Sequence, residues 1–195
     1  MKKLLTATFV ALVVLLTSPL VKAADLTGFI QDHATINYAA LEQPLKKSLD
    51  KELKCLADNI YYEAGAEPFE GRVAVAMVTI NRAESGKFPE TICGVVSQKT
   101  KVTVIQDNKP ITKFICQFSW FCERKRVGPT SRNNTWEDAM EVAKMVLLDG
   151  YRIPLLEDAM YFHATHVRPG WRLPKVARVG NHIFYEERAP KIQSF

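Results

Sequence analysis

The cysteines of this sequence carry no zinc signature. Its four cysteines, Cys55, Cys93, Cys116 and Cys122, include one close pair, Cys116-x5-Cys122, and that is not a usual ligand spacing. No apolar run is long enough to cross a bilayer: Leu4 to Leu16, broken only by Thr6 and Thr8, falls short of the roughly 20 residues needed. Repeats and low-complexity tracts are missing too. Charge of one sign is also scarce once the N-terminus is set aside. The formal charge is +5, but residues 1–23 hold three lysines and no acid, which leaves 26 − 3 − 21 = +2. A nucleic-acid partner thereby loses its main support, whereas a weakly positive chain suits an anionic wall or envelope surface.

Those 23 residues read as a secretory leader. Lys2 and Lys3 precede the apolar run, and Val21-Lys22-Ala23 is a small-residue cleavage pattern, so cleavage is expected after Ala23, against the alternative of a retained anchor. No stable membrane anchor is then expected. The remaining 195 − 23 = 172 residues suit one domain, expected as a monomer. In an exported chain, periplasmic or secreted, an even cysteine count reads as two disulfides. Three pairings are possible and spacing does not choose. The working expectation is Cys116 with Cys122 and Cys55 with Cys93.

Residues 24–50 are polar and aperiodic, a leader or linker to a domain spanning 51–195. Leu53, Leu56, Ala57, Ile60 and Ala64 recur at helical spacing, predicting a helix over 51–64 that Gly65 stops. A second helix is expected from Pro68 through "FEGRVAVAMVTINRA", so apolar that it belongs at the centre, and a short one over 90–98. Two β-branched runs flank Asp107-Asn108, a hairpin signal. Residues 124–134 read as an exposed basic loop, "TWEDAMEVAKMVLLDG" as a helix, "DAMYFHA" (158–164) as a strand, and Gly180-Asn181 as a second hairpin turn. Helices with inserted and appended hairpins make an α+β domain.

Two glutamates stand at the join of the first two helices, in "NIYYEAGAEPFEG" (59–71). Glu63 follows Ile60 by three and Leu56 by seven, on the apolar face. Burial and the negative end of the helix dipole both favour its neutral form. A carboxyl kept protonated near neutral pH is what general-acid cleavage of a glycosidic bond requires; the competing reading is a solvent-facing residue at a frayed helix end. Glu67 precedes Pro68 at the next helix start, where free N–H groups favour the ionised form, and reads as a helix cap or a hinge-locking ion pair.

The stretch "LADNIYYEAGAEPFEGRVAVAMVTINRAESGKFPETICGVV", with "CQFSWFC" and "GNHIFYE" further on, resembles the cell wall hydrolase family typified by SleB, the spore cortex-lytic enzyme. The resemblance covers nearly all of residues 53–187. It implies a lysozyme-like, lytic-transglycosylase-like fold and cleavage of the MurNAc–GlcNAc β-1,4 bond in peptidoglycan glycan strands, leaving 1,6-anhydro-MurNAc ends. It implies no cofactor, and a catalytic acid at Glu63. Gly65-Ala66 replace an Arg-Gly pair common in the family, so a groove contact from that Arg is absent. A lytic transglycosylase needs no second carboxylate, because the muramyl 6-hydroxyl is the nucleophile and one group can serve as acid and then base.

Gln98, Gln117 and Asn181 offer paired donors and acceptors for a glycan, and Phe118, Trp120, Tyr161, Trp171 and Tyr185 offer faces for sugars, each weighed against a plain core role. Gln98, Gln117, Phe118, Tyr161 and Asn181 are the substrate-binding candidates. His163, His166 and His182 raise a zinc amidase as a rival, although residues three apart on a strand point to opposite faces. A hydrolytic muramidase and a non-catalytic wall-binding module complete the alternatives.

Overall fold

The computed structural model describes residues 35–123 and 135–187. The leader expected over 1–23 and the basic loop expected over 124–134 lie outside the described residues.

Three long helices carry the core: α1 (Gln43–Ala64), α2 (Phe69–Glu84) and, after a short α3 (Ile92–Ser97), a hairpin and one further turn, α5 (Thr135–Leu147). The apolar spacing read in each is the face that is buried. Leu49, Leu53, Leu56, Ala57 and Ile60 of α1 meet Ala139, Val142, Ala143 and Val146 of α5 across the core. α2 lies at the centre, with Val73, Val75, Ala76, Met77, Val78 and Ile80 all at 0% exposure. A helix that is apolar all round is stable only when surrounded. α1 begins at Gln43 rather than Lys51. Pro44 sits in its first turn, which suits proline, and Leu49 adds a core contact ahead of the run used to predict the helix.

The polar residues of the core helices tie elements together. Asn59 of α1 donates to Thr79 Oγ1 of α2 at 3.0 Å, and Thr79 donates to Val75 O at 3.0 Å. Asn81 of α2 donates to the carbonyls of Leu156 and Ala159 at 2.9 Å each. Buried amides satisfied in this way fix one arrangement of the helices, since leaving one unpaired costs about 1–3 kcal/mol. Glu52 accepts from Cys93 N at the start of α3 (2.9 Å), beside the Cys55–Cys93 disulfide.

Both expected hairpins form. β1 (Lys99–Gln106) and β2 (Lys109–Cys116) pair antiparallel around Asp107 (φ 51°) and Asn108 (φ 58°); two positive φ values are the requirement of a two-residue type I′ turn. Cys116 then bonds to Cys122 at the end of the single-turn α4 (Ser119–Cys122). Both disulfides are those expected. β3 (Ala159–Ala164), β4 (Lys175–Val179) and β5 (His182–Glu186) form an antiparallel sheet in the order β3-β5-β4, with Gly180-Asn181 as the β4–β5 turn. Among the described residues the architecture is α+β.

Candidate active site

α1 ends in a tight reversal. Gly65 N donates back to Tyr61 O (3.2 Å) and Glu67 N to Ala64 O (2.9 Å), after which Pro68 caps α2 without a side-chain bond. Glu63, in the last turn of α1, lines an open cleft of about 520 Å³ with Tyr61, Tyr62, Ala66, Glu67 and Thr135. Among the described residues it has no hydrogen-bond or ion-pair partner. Burial pushes its carboxyl from 4.5 up to about 7; Arg82 pulls the value down and Glu123 pushes it up. The group is therefore half protonated near neutrality, the condition for delivering a proton and later taking one back.

Its surroundings are held rigidly. Tyr62 stacks on Trp120 (centroids 4.4 Å apart, planes at 19°), and Trp120 Nε1 donates to Asn59 Oδ1 at 3.1 Å. The Asn59–Thr79 pair thus fixes α4 as well as α1 and α2.

Arg82 is a candidate site residue that the sequence did not single out. It comes from the last turn of the central helix and is only 3% exposed. Its Nε donates to Met160 O at 2.7 Å, and its guanidinium lies 5.2, 5.5 and 5.7 Å from the ring centroids of Phe88, Phe118 and Tyr161. One nitrogen, Nη1, is buried without a hydrogen-bond partner among the described residues. Burial lowers its pKa to about 10, so it remains a cation at neutral pH and acts electrostatically on Glu63. Its only local sequence signal is a charge following the apolar run 73–78, which by itself names no partner.

The substrate-binding candidates separate into three places. Phe118 and Tyr161 converge on Arg82. Phe118 is 3% exposed, so its ring supports Arg82 instead of presenting a face to a sugar. Tyr161 donates to Glu187 Oε1 at 3.0 Å; Glu187 also pairs with Lys87. Gln98 and Gln117 lie at the base of the first hairpin, joined by Gln117 N to Gln98 O (2.9 Å), and Gln98 Oε1 is buried without a partner among the described residues. Tyr161, His163, Tyr185 and the half-open Trp171 form a linked aromatic shelf, with neighbouring centroids 5.3–6.1 Å apart.

Asn181 stands elsewhere, engaged by Glu67. Asn181 N and Nδ2 donate to the two Glu67 carboxylate oxygens at 2.8 and 3.1 Å. Glu67 is thus neither the helix cap nor the ion pair expected of it; it locks the α1–α2 join to the β4–β5 turn. Glycine makes that approach possible. At Gly180, with φ +56°, an added Cβ would lie 2.0 Å from Glu67 Oε2, and at Gly71 it would lie 2.9 Å from Glu67 Cβ.

His163 pairs with Ile183 and His182 with Ala164 in the β3–β5 ladder, which puts the two on opposite faces. Both ring nitrogens of His163 are engaged, by Ala164 O and the Tyr185 hydroxyl, at 2.8 Å each. Among the described residues no group of three or more His, Cys, Asp or Glu is placed to hold a metal.

Two carboxyls are raised to about 7 by burial and line separate clefts: Glu63 at the α1–α2 reversal, and Glu84, which Arg152 draws back down. The chain belongs to the Cell Wall Hydrolase family, whose sequence profile matches residues 66–185. Glu67 and Asn181 fall within that span and Glu63 just ahead of it, so the reading of Glu63 rests on its surroundings. Among curated proteins, the chain is 28% identical over 140 residues to a spore cortex-lytic enzyme of Bacillus subtilis, covering 70% of this chain and 38% of that one. It is 27% identical over 137 residues to the same enzyme of Oceanobacillus iheyensis, covering 68% and 41%. The chain thus spans about two fifths of these relatives. Its fold is similar to the catalytic domain of Bacillus cereus SleB (TM-score 0.50, 23% identity, covering 70% of this chain and 91% of that one). It is also similar to the catalytic domain of the germination-specific lytic transglycosylase SleB of Bacillus anthracis (0.50, 22%, 75% and 98%).

Proposed function

We propose that this protein degrades peptidoglycan outside the cytoplasm, as a monomer, by cleaving the MurNAc–GlcNAc β-1,4 bond with Glu63 as the single acid/base. The observation that carries the reading is a carboxyl raised to about 7 by burial, without a hydrogen bond among the described residues, at the open cleft beside the α1–α2 reversal; Glu84, also raised to about 7, lies with Arg152 in a smaller cleft. Glu63 gives its proton to the glycosidic oxygen as the C1–O bond breaks. The resulting carboxylate, beside the buried Arg82 cation, removes a proton from the muramyl 6-hydroxyl, whose oxygen bonds to C1. The products are a new GlcNAc 4-hydroxyl and a 1,6-anhydro-MurNAc end, and Glu63 is again protonated. The membership of the family supports the substrate class, and two disulfides support an oxidising compartment.

A second reading has one observation in its favour. Glu123 is exposed and close enough to raise the Glu63 pKa, and a second carboxylate could activate water in a hydrolytic muramidase. Mass spectrometry of purified sacculi after digestion separates the outcomes. Anhydromuramyl ends support the proposal. Reducing muramic acid ends select the hydrolase, and freed stem peptides or the absence of soluble product overturn glycosidic cleavage altogether.

A further inference from the structure

Of the β1–β2 hairpin only Cys116, at its foot, is buried. None of its residues is packed into the main hydrophobic cluster, and beyond its own two strands its principal neighbour is α4 at its base. Eight residues per strand at about 3.3 Å each make an arm of roughly 25 Å. Such an arm should be polar on both faces, yet three of the seven exposed large hydrophobic side chains among the described residues lie on it: Ile105 (70%), Phe114 (62%) and Ile115 (58%). The cross-strand register also puts Val102, Val104, Ile111 and Ile115 on one face, with nothing from the core over them. Lysines frame both faces. Lys113 lies opposite Val102, Lys101 opposite Phe114 and Lys109 next to the turn. With Lys99 they make four cations against Asp107 alone, a local charge of 4 − 1 = +3.

We propose that this hairpin seats the protein on an anionic lipid bilayer surface, its aliphatic and aromatic side chains at the acyl–headgroup boundary and its lysines on the phosphates. Interleaved apolar and cationic side chains fit a partner that offers an apolar layer under a negative one. A second copy of the chain would set four lysines against four, and a glycan strand provides no apolar layer. Among the described residues no helix is long and apolar enough to cross a membrane, and the proposed contact is made by the hairpin. It stands independently of the chemistry at Glu63.

The test is cosedimentation of the full chain with phosphatidylcholine vesicles, with and without phosphatidylglycerol. Binding is expected to the anionic vesicles only and to weaken as salt is raised. Each lysine near such a surface strengthens binding by roughly fivefold, so Lys101→Glu with Lys113→Glu should weaken it more than tenfold. Ile111→Ser with Ile115→Ser should also weaken it. In the unaltered protein, deuterium uptake across 99–116 should fall when anionic vesicles are added, a readout that requires no variant to fold. Absence of binding, equal binding to zwitterionic vesicles, or vesicle binding indifferent to both variants would overturn the proposal. So would hairpin-dependent dimerisation or sacculus binding in place of lipid binding.

Discussion

Replacing Glu63 by Gln should stabilise the protein, but only at alkaline pH. The carboxyl rises from 4.5 to about 7 on folding, so the folded state prefers it protonated. The sign follows from proton linkage: a raised value contributes stability fully present below 4.5 and lost as pH climbs through about 7. Above that window the fold must hold a partly buried anion. The difference, 7 − 4.5 = 2.5, corresponds to roughly 3 kcal/mol, and the attraction of Arg82 is already contained in it. Glutamine has nearly the same shape and no charge. Denaturant titrations of both proteins, one pair below pH 4.5 and one well above 7, should give midpoints that coincide in acid and diverge in base, with the variant ahead. The same variant should lose sacculus-clearing activity at every pH. A pH-independent stability change, or a variant weaker in base, would show that the Glu63 carboxyl is solvated and would remove the physical ground for assigning it as the acid.

Other expectations follow from neighbouring contacts. In a folded Arg82→Gln protein the alkaline limb of the activity profile should move to higher pH, because the cation that favours the Glu63 carboxylate is gone; Glu123→Gln should move it lower. Gly180→Ala forces a Cβ against Glu67 in a left-handed backbone and should cost about 2–4 kcal/mol in urea titrations. Glu67→Gln, which can still accept one of the two Asn181 bonds, should cost about 1 kcal/mol and leave turnover measurable; loss of all turnover in a well-folded Glu67 variant would reverse the roles of the two glutamates. Removing the Cys55–Cys93 bridge, which spans 38 residues, should cost about 4 kcal/mol, against about 2 for the six-residue Cys116–Cys122 loop, read as the loss of midpoint stability in paired Cys→Ala variants.

Much of the scaffold was legible because its determinants lie close together in the chain. The apolar spacing of α1 and α5 marks the faces they bury, and the unbroken apolar run of α2 marks its central place. The Asp107-Asn108 and Gly180-Asn181 turns carry residues suited to their backbone. Where reading fell short, the missing term was a contact. α1 starts early because of Leu49 and the Pro44 turn. Phe118, read as an open ring, is closed over by Arg82.

The candidate site divides in the same way. Periodicity alone puts Glu63 on the buried face of a helix end, and helix geometry is enough to argue that its neutral form is favoured. Sequence by itself likewise determined an even set of cysteines, two hairpins and three core helices, because steric and hydrophobic signals act over a few residues. Only the tertiary structure decided which charges stand beside Glu63: Arg82 and Glu123 are separated from it by whole elements, and nothing in the local sequence of any of the three names the others. The same holds for Glu67, whose partner Asn181 lies 114 residues away. Coulomb forces and hydrogen bonds depend on distance in space, and folding alone sets that distance.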